Sequence, residues 1–339
     1  MKAVVIHSPL DLRVDEIADQ DVSAHDVKVR IEAGGICGSD LHYYRHGGFG
    51  TVKLREPMVL GHEISGSIVE TGRNVKGLAV GQRVAVNPAR PCGTCSYCAA
   101  GKRNLCLDIH FYGSAMRFPH VQGGFREYLV CDAAQAVPVP AHVSAAEAAF
   151  AEPLAVCLHA VNQAGSLLGS RVLITGAGPI GILIAIVARR AGAREIVVTD
   201  ILDAPLAIAR NVAADQTINV FGRTAGPPDD TFDVMFEAAG SAVTIRQGLS
   251  AVKRGGTIIQ VGQGAEATLP MSQIVTRELT IRGAFRFDTE FELAVATIAS
   301  GSFPLSELLT GTFGIDEARQ AFDIASDKER SMKVQLRFH

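Results

Sequence analysis

Residues 171–181 read RVLITGAGPIG, a short apolar strand that runs directly into a glycine-rich turn. In such a G-x-G-x-x-G pattern the first glycine allows a tight turn, the second lets the backbone approach a pyrophosphate, and the third lets the next helix pack closely. The proline suits the first turn of that helix, whose free N–H groups and dipole favour an anion. We predict that the pyrophosphate of a dinucleotide would meet Gly176, Gly178, Pro179, Ile180 and Gly181.

An acidic residue supports this prediction. Asp200 ends the next apolar run, 19 residues after Gly181, where a carboxylate is expected to accept hydrogen bonds from the adenosine ribose. The alternative, a glycine turn that binds nothing, does not account for strand, turn, helix and acid in this order. Asp200 would repel a 2′-phosphate, and residues 201–203 supply no arginine to receive one, so we predict NAD rather than NADP.

From about Ala145 onward, alanine-rich helical patterns alternate with short, continuous apolar runs. The predicted strands are Arg171–Thr175, Glu195–Thr199, Phe232–Phe236, Thr257–Val261 and Leu279–Phe287. The predicted helices are Pro179–Arg190, Ala204–Ala213 and Ser241–Val252. Strand–helix alternation of this kind predicts an α/β fold with a doubly wound parallel sheet, covered on both faces.

The first 150 residues have a different pattern of apolar and glycine residues. Short runs rich in β-branched residues are separated by glycine turns, which predicts a mostly antiparallel, barrel-like or sandwich-like domain. The strands predicted here are Lys2–Ile6, Val27–Ala33, Ile64–Thr71 and Gln82–Val86. The C-terminal tail is too short to fold alone, so we expect it to return to this domain.

Composition excludes several classes of protein. The chain has 339 residues, of which 47% are hydrophobic and 20% charged, which excludes a disordered or fibrous chain. Its formal net charge of −3 gives no support for nucleic-acid binding. Because we find no signal-peptide core, and the longest apolar stretch, 180–188, is too short to span a bilayer, we expect a cytoplasmic protein without a membrane partner.

Four of the seven cysteines lie within fifteen residues. An odd number of cysteines without a secretion signal argues against a disulfide framework. The spacing C-x₂-C-x₂-C-x₇-C instead matches four thiolates around one Zn²⁺, and a closed four-sulfur shell predicts a structural site. The predicted ligands are Cys92, Cys95, Cys98 and Cys106.

A second set of candidate metal ligands is dispersed along the chain. Cys37 lies in a glycine-rich segment, His62 and Glu63 precede a predicted strand, and Glu152 precedes Pro153. Thiolate, imidazole and carboxylate are the ligand types of an open catalytic zinc site. Each residue alone is as readily an ordinary loop residue or solvated acid, and the sequence does not itself bring the four together.

These motifs, in this order, resemble the zinc-dependent medium-chain dehydrogenases over essentially the whole chain. The resemblance implies a GroES-like catalytic domain at residues 1–153 and 285–339, with a structural-zinc lobe near 88–108. It implies an NAD-binding Rossmann domain at 154–284, and two zinc ions per subunit. Family members usually form homodimers or homotetramers, commonly through a late strand of the coenzyme domain, here residues 281–287.

The branch of the family is also indicated. Glu152-Pro153-Leu154, where alcohol dehydrogenases have a third sulfur ligand, resembles the polyol dehydrogenases. Further segments resemble the members that oxidise L-idonate to 5-dehydrogluconate: residues 34–44, 111–116, 118–121 and 283–287. The resemblance therefore implies a sugar acid or polyol as substrate. A sorbitol-, xylitol- or threonine-type dehydrogenase remains an alternative, as does a non-catalytic nucleotide-binding protein, although the latter is expected to have lost part of the active constellation.

The family's roles then apply to particular residues. Cys37 and His62 would bind the catalytic zinc directly, and Glu63 and Glu152 would be the acidic ligands, one of them through water if not directly. Ser39 would contact the reacting hydroxyl, and His42 would pass the proton outward through the coenzyme ribose, unless it is an ordinary exposed histidine.

A sugar acid also needs a basic partner for its carboxylate. Arg286 is the first candidate, with Arg117 and His120 as alternatives; an arginine paired with Glu290 or Asp288 is equally compatible with the sequence. Two aromatic residues, Tyr43 and Phe111, are predicted to line the same site, although aromatic residues more often pack in a core. The remaining cysteines, Cys131 and Cys157, match no metal role and are predicted to be small buried residues.

Overall fold

The structure is a computed structural model that describes residues 1–222, 226–264 and 266–339. The chain divides into two compact units. The first unit consists of Met1–Glu152, Phe291–Asp327 and Lys333–His339, and the second of Pro153–Glu290 and Lys328–Met332. Among the described residues, no helix has both the length and the apolar character that a membrane span needs.

Short strands dominate the first 150 residues. The strands are β1 (Lys2–Ser8), β2 (Asp11–Glu16), β3 (Asp26–Gly35), β4 (Gly48–Phe49), β5 (Val52–Lys53), β6 (Met58–Val59), β7 (Glu63–Thr71), β8 (Arg83–Val86), β9 (Ala89–Arg90), β10 (His110–Phe111), β11 (Tyr128–Asp132) and β12 (Ala136–Pro138). The helices between and after them are α1 (Gly38–His46), α2 (Ser96–Ala99) and α3 (Ala145–Ala148).

Helices and strands alternate from residue 151 onward. The elements are α4 (Ala151–Ala164), β13 (Arg171–Thr175), α5 (Pro179–Arg190), β14 (Glu195–Asp200), α6 (Asp203–Val212), β15 (Gln216–Asn219), β16 (Phe232–Glu237), α7 (Ala242–Ala251), β17 (Val252–Gln260), α8 (Met271–Thr276), β18 (Thr280–Gly283) and α9 (Glu290–Ala299). The tail adds β19 (Leu309–Gly314), α10 (Ala318–Ala325) and β20 (Lys333–Arg337).

The main sheet of the first unit has the order β12-β8-β7-β3-β20-β19, and β11 also pairs with β3. Its pairs are antiparallel except β19 with β20. The long strand β3 lies between β7 and β20, and its last residue, Gly35, is paired with Glu63 on one side and Gln335 on the other. The tail strand β20 therefore reaches the end of β3, where the chain leaves the sheet toward Cys37.

The sheet of the second unit has the order β15-β14-β13-β16-β17-β18, and every pair in it is parallel. The chain starts in the middle of this sheet at β13, moves to one edge and then crosses to the other side, which is the arrangement of the doubly wound dinucleotide folds. The predicted fold class, a parallel α/β sheet with a mostly antiparallel β-rich domain, is confirmed.

The last predicted strand of the parallel sheet is shorter than expected. The apolar run suggested Leu279–Phe287, but β18 ends at Gly283. Beyond Gly283 the chain leaves the sheet: the N–H of Ala284 still donates to the carbonyl of Gln260 as in a parallel ladder, but Arg286 has a φ of +53°, which is outside the β region. The edge strand β15 was not predicted, because the sequence QTIN lacks a continuous apolar run.

Candidate metal centres and coenzyme site

The turn after β3 and the turn before β7 carry the first candidate ligands, and one carboxylate connects them. Cys37 precedes α1, and its N–H donates to Asp40 Oδ2 at 3.0 Å. The N–H of Gly61, next to His62, donates to Asp40 Oδ1 at 3.2 Å. Asp40 is fully buried, and burial raises its pKa. The two backbone hydrogen bonds hold Cys37 and His62 near each other.

Ligand atoms of Cys37, His62 and Glu63 all lie within 4.8 Å of one another, and we call this group the three-ligand cluster. His62 is buried, and its Nδ1 atom makes no hydrogen bond among the described residues. Burial, with a further contribution from the charge of Glu63, raises the pKa of the Cys37 thiol to about 12. A thiol, an imidazole and a carboxylate gathered in this way fit a zinc ion, which would stabilise the thiolate.

Glu63 is held by a buried lysine. Lys333 Nζ donates to Glu63 Oε1 at 2.7 Å and to Oε2 at 2.6 Å, and to the carbonyl of Ile36 at 3.2 Å. The space for the Glu63 carboxylate exists because Gly35 has no side chain: a Cβ there would lie 2.1 Å from Glu63 Oε2. Burial opposes the charge on Lys333, but Glu63 and Cys37 raise its pKa above the ordinary value.

Glu152 lies in the first turn of α4 and is buried, but it is not part of the three-ligand cluster. Burial raises its pKa to about 8, His62 opposes that shift, and the charges of Glu63 and Cys37 add to it. Glu152 is thus close enough to the cluster for the charges of its members to act on the carboxyl group. The structure thus brings together Cys37, His62 and Glu63 most closely, with Glu152 as a neighbour.

The two candidate proton-transfer residues lie on α1. Ser39 is half-buried in the first turn, two residues after Cys37, and His42 is exposed one turn further on. Residues three positions apart occupy neighbouring places on a helix surface. The ring of His42 lies 5.8 Å from that of Phe49 and 6.1 Å from that of His46.

The residues predicted to line a substrate site lie in different surroundings. Phe111 packs against the His62 ring at 5.6 Å, directly beside the three-ligand cluster. Tyr43 is buried, and its hydroxyl accepts a hydrogen bond from the N–H of Ala115 at 3.0 Å. Arg286 lies in the second unit, with its guanidinium 4.8 Å from the centre of the Phe285 ring.

The two alternative basic residues are engaged elsewhere. The His120 ring accepts from the N–H of Arg55 through Nε2 at 2.9 Å and donates through Nδ1 to the carbonyl of Arg117 at 2.8 Å. The Arg117 side chain pairs with Asp108. His120 therefore joins its own loop to the segment that carries Arg55, and Arg117 pairs within its own loop.

The four clustered cysteines form a second candidate metal site. The sulfur atoms of Cys92 and Cys98 are 4.0 Å apart, and those of Cys95 and Cys106 are 3.9 Å apart. Ligands at the 2.3 Å typical of Zn–S bonds define a tetrahedron with edges of roughly 3.8 Å. Hydrogen bonds from backbone N–H groups lower the pKa of Cys92 to about 6. This donor set fits a tetrahedral zinc ion without an open position.

The glycine-rich turn has the expected geometry. Gly176 has a φ of +92°, and a Cβ on Gly181 would lie 1.8 Å from the carbonyl oxygen of Gly176. Gly178 precedes α5, and Pro179 occupies the first position of that helix, with Ile180 following. The turn therefore presents the N-terminus of a twelve-residue helix, as a pyrophosphate site requires.

Asp200 ends β14 and is bonded to this turn. Its Oδ2 accepts from the N–H of Ala177 at 2.7 Å, while Oδ1 accepts from the N–H groups of Ile201 and Leu202 at 2.7 and 3.0 Å. A carboxylate has about four lone-pair sites, so it can accept further hydrogen bonds. Asp200 thus positions the turn besides being available to a ribose.

Sequence reasoning missed three residues that organise these sites. Asp40 and Lys333 hold the three-ligand cluster, and Glu237, at the end of β16, accepts hydrogen bonds from the N–H groups of Ala239 and Gly240 beside the coenzyme turn. Glu237 follows an apolar strand in the same way as Asp200, and this signal was available in the sequence. Lys333 is remote in sequence, and no local pattern marked it.

A cluster of candidate zinc ligands, a four-cysteine lobe and a Rossmann-type dinucleotide turn together are the features of a zinc-dependent dehydrogenase. Residues 23–141 match the alcohol dehydrogenase GroES-like domain, and residues 179–300 match the zinc-binding dehydrogenase domain. The chain belongs to the zinc-dependent medium-chain dehydrogenases, in the polyol and sugar-acid dehydrogenase group, as the sequence resemblance predicted.

Known members are similar over nearly the whole length. The L-idonate 5-dehydrogenase (NAD(P)(+)) of Escherichia coli K12 is 41% identical over 321 residues, 91% of each chain. Sorbitol dehydrogenase of Bos taurus is 34% identical over 344 residues, covering 99% of this chain and 95% of its own. The crystal structure of the Escherichia coli L-idonate enzyme has a TM-score of 0.94 and 39% identity, covering 99% of this chain and 98% of the other.

Proposed function

We propose that this protein transfers a hydride between NAD and a secondary hydroxyl of a sugar acid, oxidising L-idonate to 5-dehydro-D-gluconate. The observation that carries the proposal is the convergence of Cys37, His62 and Glu63, within 4.8 Å, in a zinc-binding dehydrogenase fold. The similarity to the L-idonate enzyme supports the choice of substrate.

In this proposal Cys37 and His62 bind the catalytic zinc directly. The structure's cluster favours Glu63 as the nearer acidic ligand, with Glu152 beside it, reached through water or directly. Cys92, Cys95, Cys98 and Cys106 hold the structural zinc. When bound, zinc would act as a Lewis acid on the substrate hydroxyl, and the nicotinamide would accept the hydride.

The chain's own residues would orient the substrate and move its proton. Ser39 follows Cys37 closely enough to accept the hydroxyl proton at its Oγ atom. His42, one turn along the same helix and exposed, would carry the proton toward solvent. Phe111 packs against His62 and would limit water at the cluster.

The second unit would bind NAD. Gly176 to Gly181 would receive the pyrophosphate at the start of α5, and Asp200 would accept hydrogen bonds from the adenosine ribose. The negative charge of Asp200 favours a free 2′-hydroxyl over a 2′-phosphate. This proposal gives residues 154–284 the coenzyme role and residues 1–153 and 285–339 the catalytic role.

A polyol without a carboxylate is the second candidate substrate, and the sorbitol dehydrogenase relatives favour it. The test is a steady-state assay of L-idonate, sorbitol, xylitol and threonine, each with NAD and NADP. We expect the highest kcat/KM for L-idonate with NAD. A higher kcat/KM for sorbitol or xylitol would identify that polyol as the substrate in place of L-idonate. No turnover with L-idonate or any polyol would refute the proposed function.

A further inference from the structure

A buried positive charge lies against the three-ligand cluster. Lys333 is 3% exposed, and among the described residues it is the one lysine in the buried set. Its three possible N–H donors match its three acceptors, the two Glu63 oxygens and the Ile36 carbonyl. The ammonium group is therefore bonded within the site rather than to solvent, and its role lies within the site.

The sheet register shows how the lysine reaches the site. Gly35 of β3 is paired with Glu63 of β7 and with Gln335 of β20, so β3 separates the acid from the tail strand. Because Gly35 carries no side chain, the Glu63 carboxylate lies across it and meets Lys333. Gly35 and Lys333 thus serve the same contact from two different strands.

The contact between Lys333 and Glu63 matters for the balance of charge around the three-ligand cluster. The carboxylates of Asp40, Glu63 and Glu152 are all buried around the thiol of Cys37. Lys333 donates to both oxygens of Glu63, which is also the carboxylate closest to the other ligands. A divalent cation at the cluster and the ammonium group of Lys333 would therefore compete for one carboxylate.

We propose that Lys333 is a positioning residue whose positive charge balances the catalytic metal site. Lys333 holds the Glu63 carboxylate in place before the metal binds, and it weakens the attraction between Glu63 and the metal once the metal is bound. The inference rests on the proposed function, in which Glu63 faces the catalytic zinc. Removing one partner of a buried ion pair leaves an uncompensated charge, which is strongly destabilising. When Lys333 is removed, bound zinc would supply the missing positive charge. The loss of stability should therefore fall mainly on the metal-free protein.

The variant Lys333→Met tests this directly. We expect the thermal midpoint of the metal-free protein to fall by at least about 5 °C, while the zinc-loaded protein changes much less. By linkage, the zinc affinity of the folded protein rises, by at least about tenfold, because two positive charges no longer repel each other. The affinity concerned is that of the zinc ion that is absent from His62→Ala, which assigns this ion to the cluster.

Three further variants complete the experiment. Lys333→Arg keeps the charge and should restore the wild-type difference between metal-free and zinc-loaded midpoints. Glu63→Gln combined with Lys333→Met removes both charges and should abolish the gain in zinc affinity. Lys2→Met breaks the exposed pair with Asp316 and serves as the matched control, with unchanged zinc affinity.

The proposal is overturned if Lys333→Met lowers both midpoints equally with no change in zinc affinity, or if the variant folds neither with nor without zinc. Either result would make the ion pair purely structural. A variant that folds only when zinc is supplied supports the proposal. Wild-type protein that binds one zinc, at the four cysteines alone, and oxidises no polyol would instead refute the proposed function itself.

Discussion

Asp40 Oδ1 accepts a hydrogen bond from the N–H of Gly61 at 3.2 Å, and this bond joins the α1 segment to the turn that carries His62. The other oxygen of the same carboxylate accepts from the N–H of Cys37. Two segments that carry proposed zinc ligands, 25 residues apart in sequence, are thus fixed by one buried side chain. Ligand geometry at the catalytic zinc should depend on it.

Asp40→Asn should weaken the catalytic zinc site while leaving the structural site intact. The amide retains one acceptor oxygen and turns an NH₂ group toward a second backbone donor, so one of the two connections is lost. We expect zinc affinity at the cluster to fall by about 10- to 100-fold, as for other residues that orient metal ligands. Elemental analysis after dialysis measures this. Asp132→Asn, which changes a carboxylate that accepts from the N–H of Ala134 outside the site, should keep both ions.

Asp200→Asn should reduce the preference for NAD over NADP. The substitution removes the charge that repels a 2′-phosphate but keeps a side chain able to accept from the N–H of Ala177. We expect the ratio of kcat/KM values for the two coenzymes to fall by at least about tenfold. Asp203→Asn, whose carboxylate accepts from Asn219, is the control and should leave the ratio unchanged. A wild-type enzyme that already prefers NADP would disprove the assignment.

Arg286→Ala tests the proposed contact between Arg286 and a substrate carboxylate. Loss of a charged hydrogen bond should lower kcat/KM for L-idonate by about tenfold or more. The same variant should keep its kcat/KM for sorbitol, which has no carboxylate. Arg282→Ala, which removes a hydrogen bond to the carbonyl of Gln163, is the matched control from the same segment. Equal losses for both substrates would show that Arg286 supports the fold rather than the carboxylate.

The carboxylate of Glu290, in the second unit, is expected to stabilise the fold in a pH-dependent way. Burial opposes its charge, but hydrogen bonds from His159, the N–H of Asp288 and Asn162 lower its pKa to about 2. Because the folded-state pKa lies below the unfolded-state value near 4.3, the stabilisation is complete above that value and is lost as pH falls toward 2.

Glu290→Gln should therefore lower the thermal midpoint at pH 7, and the gap from wild type should shrink as pH falls from 5 to 3. Glu292→Gln changes an exposed glutamate of the same helix and should show neither effect. A gap that stays constant over this pH range would mean that the carboxylate's charge is not what stabilises the second unit.

The sequence predicted the parts of the molecule whose signals are local. The strand Arg171–Thr175 and the helix Pro179–Arg190 have the predicted bounds, because an apolar run and a glycine turn mark them. The four cysteines needed only their spacing. The polar strand Gln216–Asn219 lacked such a signal and was missed.

The three-ligand cluster could not be derived from local patterns. Glu63 reaches the end of β3 through the register that pairs it with Gly35, and Lys333 arrives there on a strand almost 300 residues further along. Long-range register depends on the packing of the whole sheet rather than on neighbouring residues. The family resemblance indicated Cys37, His62 and Glu63 as zinc ligands, but it did not indicate Lys333.

The most direct test of the account is zinc removal from the cluster. Protein dialysed against a chelator until one zinc per chain remains is assayed for L-idonate-dependent reduction of NAD, then reloaded with zinc and assayed again. Turnover should disappear when the cluster zinc, identified as the ion that is absent from His62→Ala, has been removed, and it should return when zinc is restored. Turnover that persists after this ion has been removed would contradict the account.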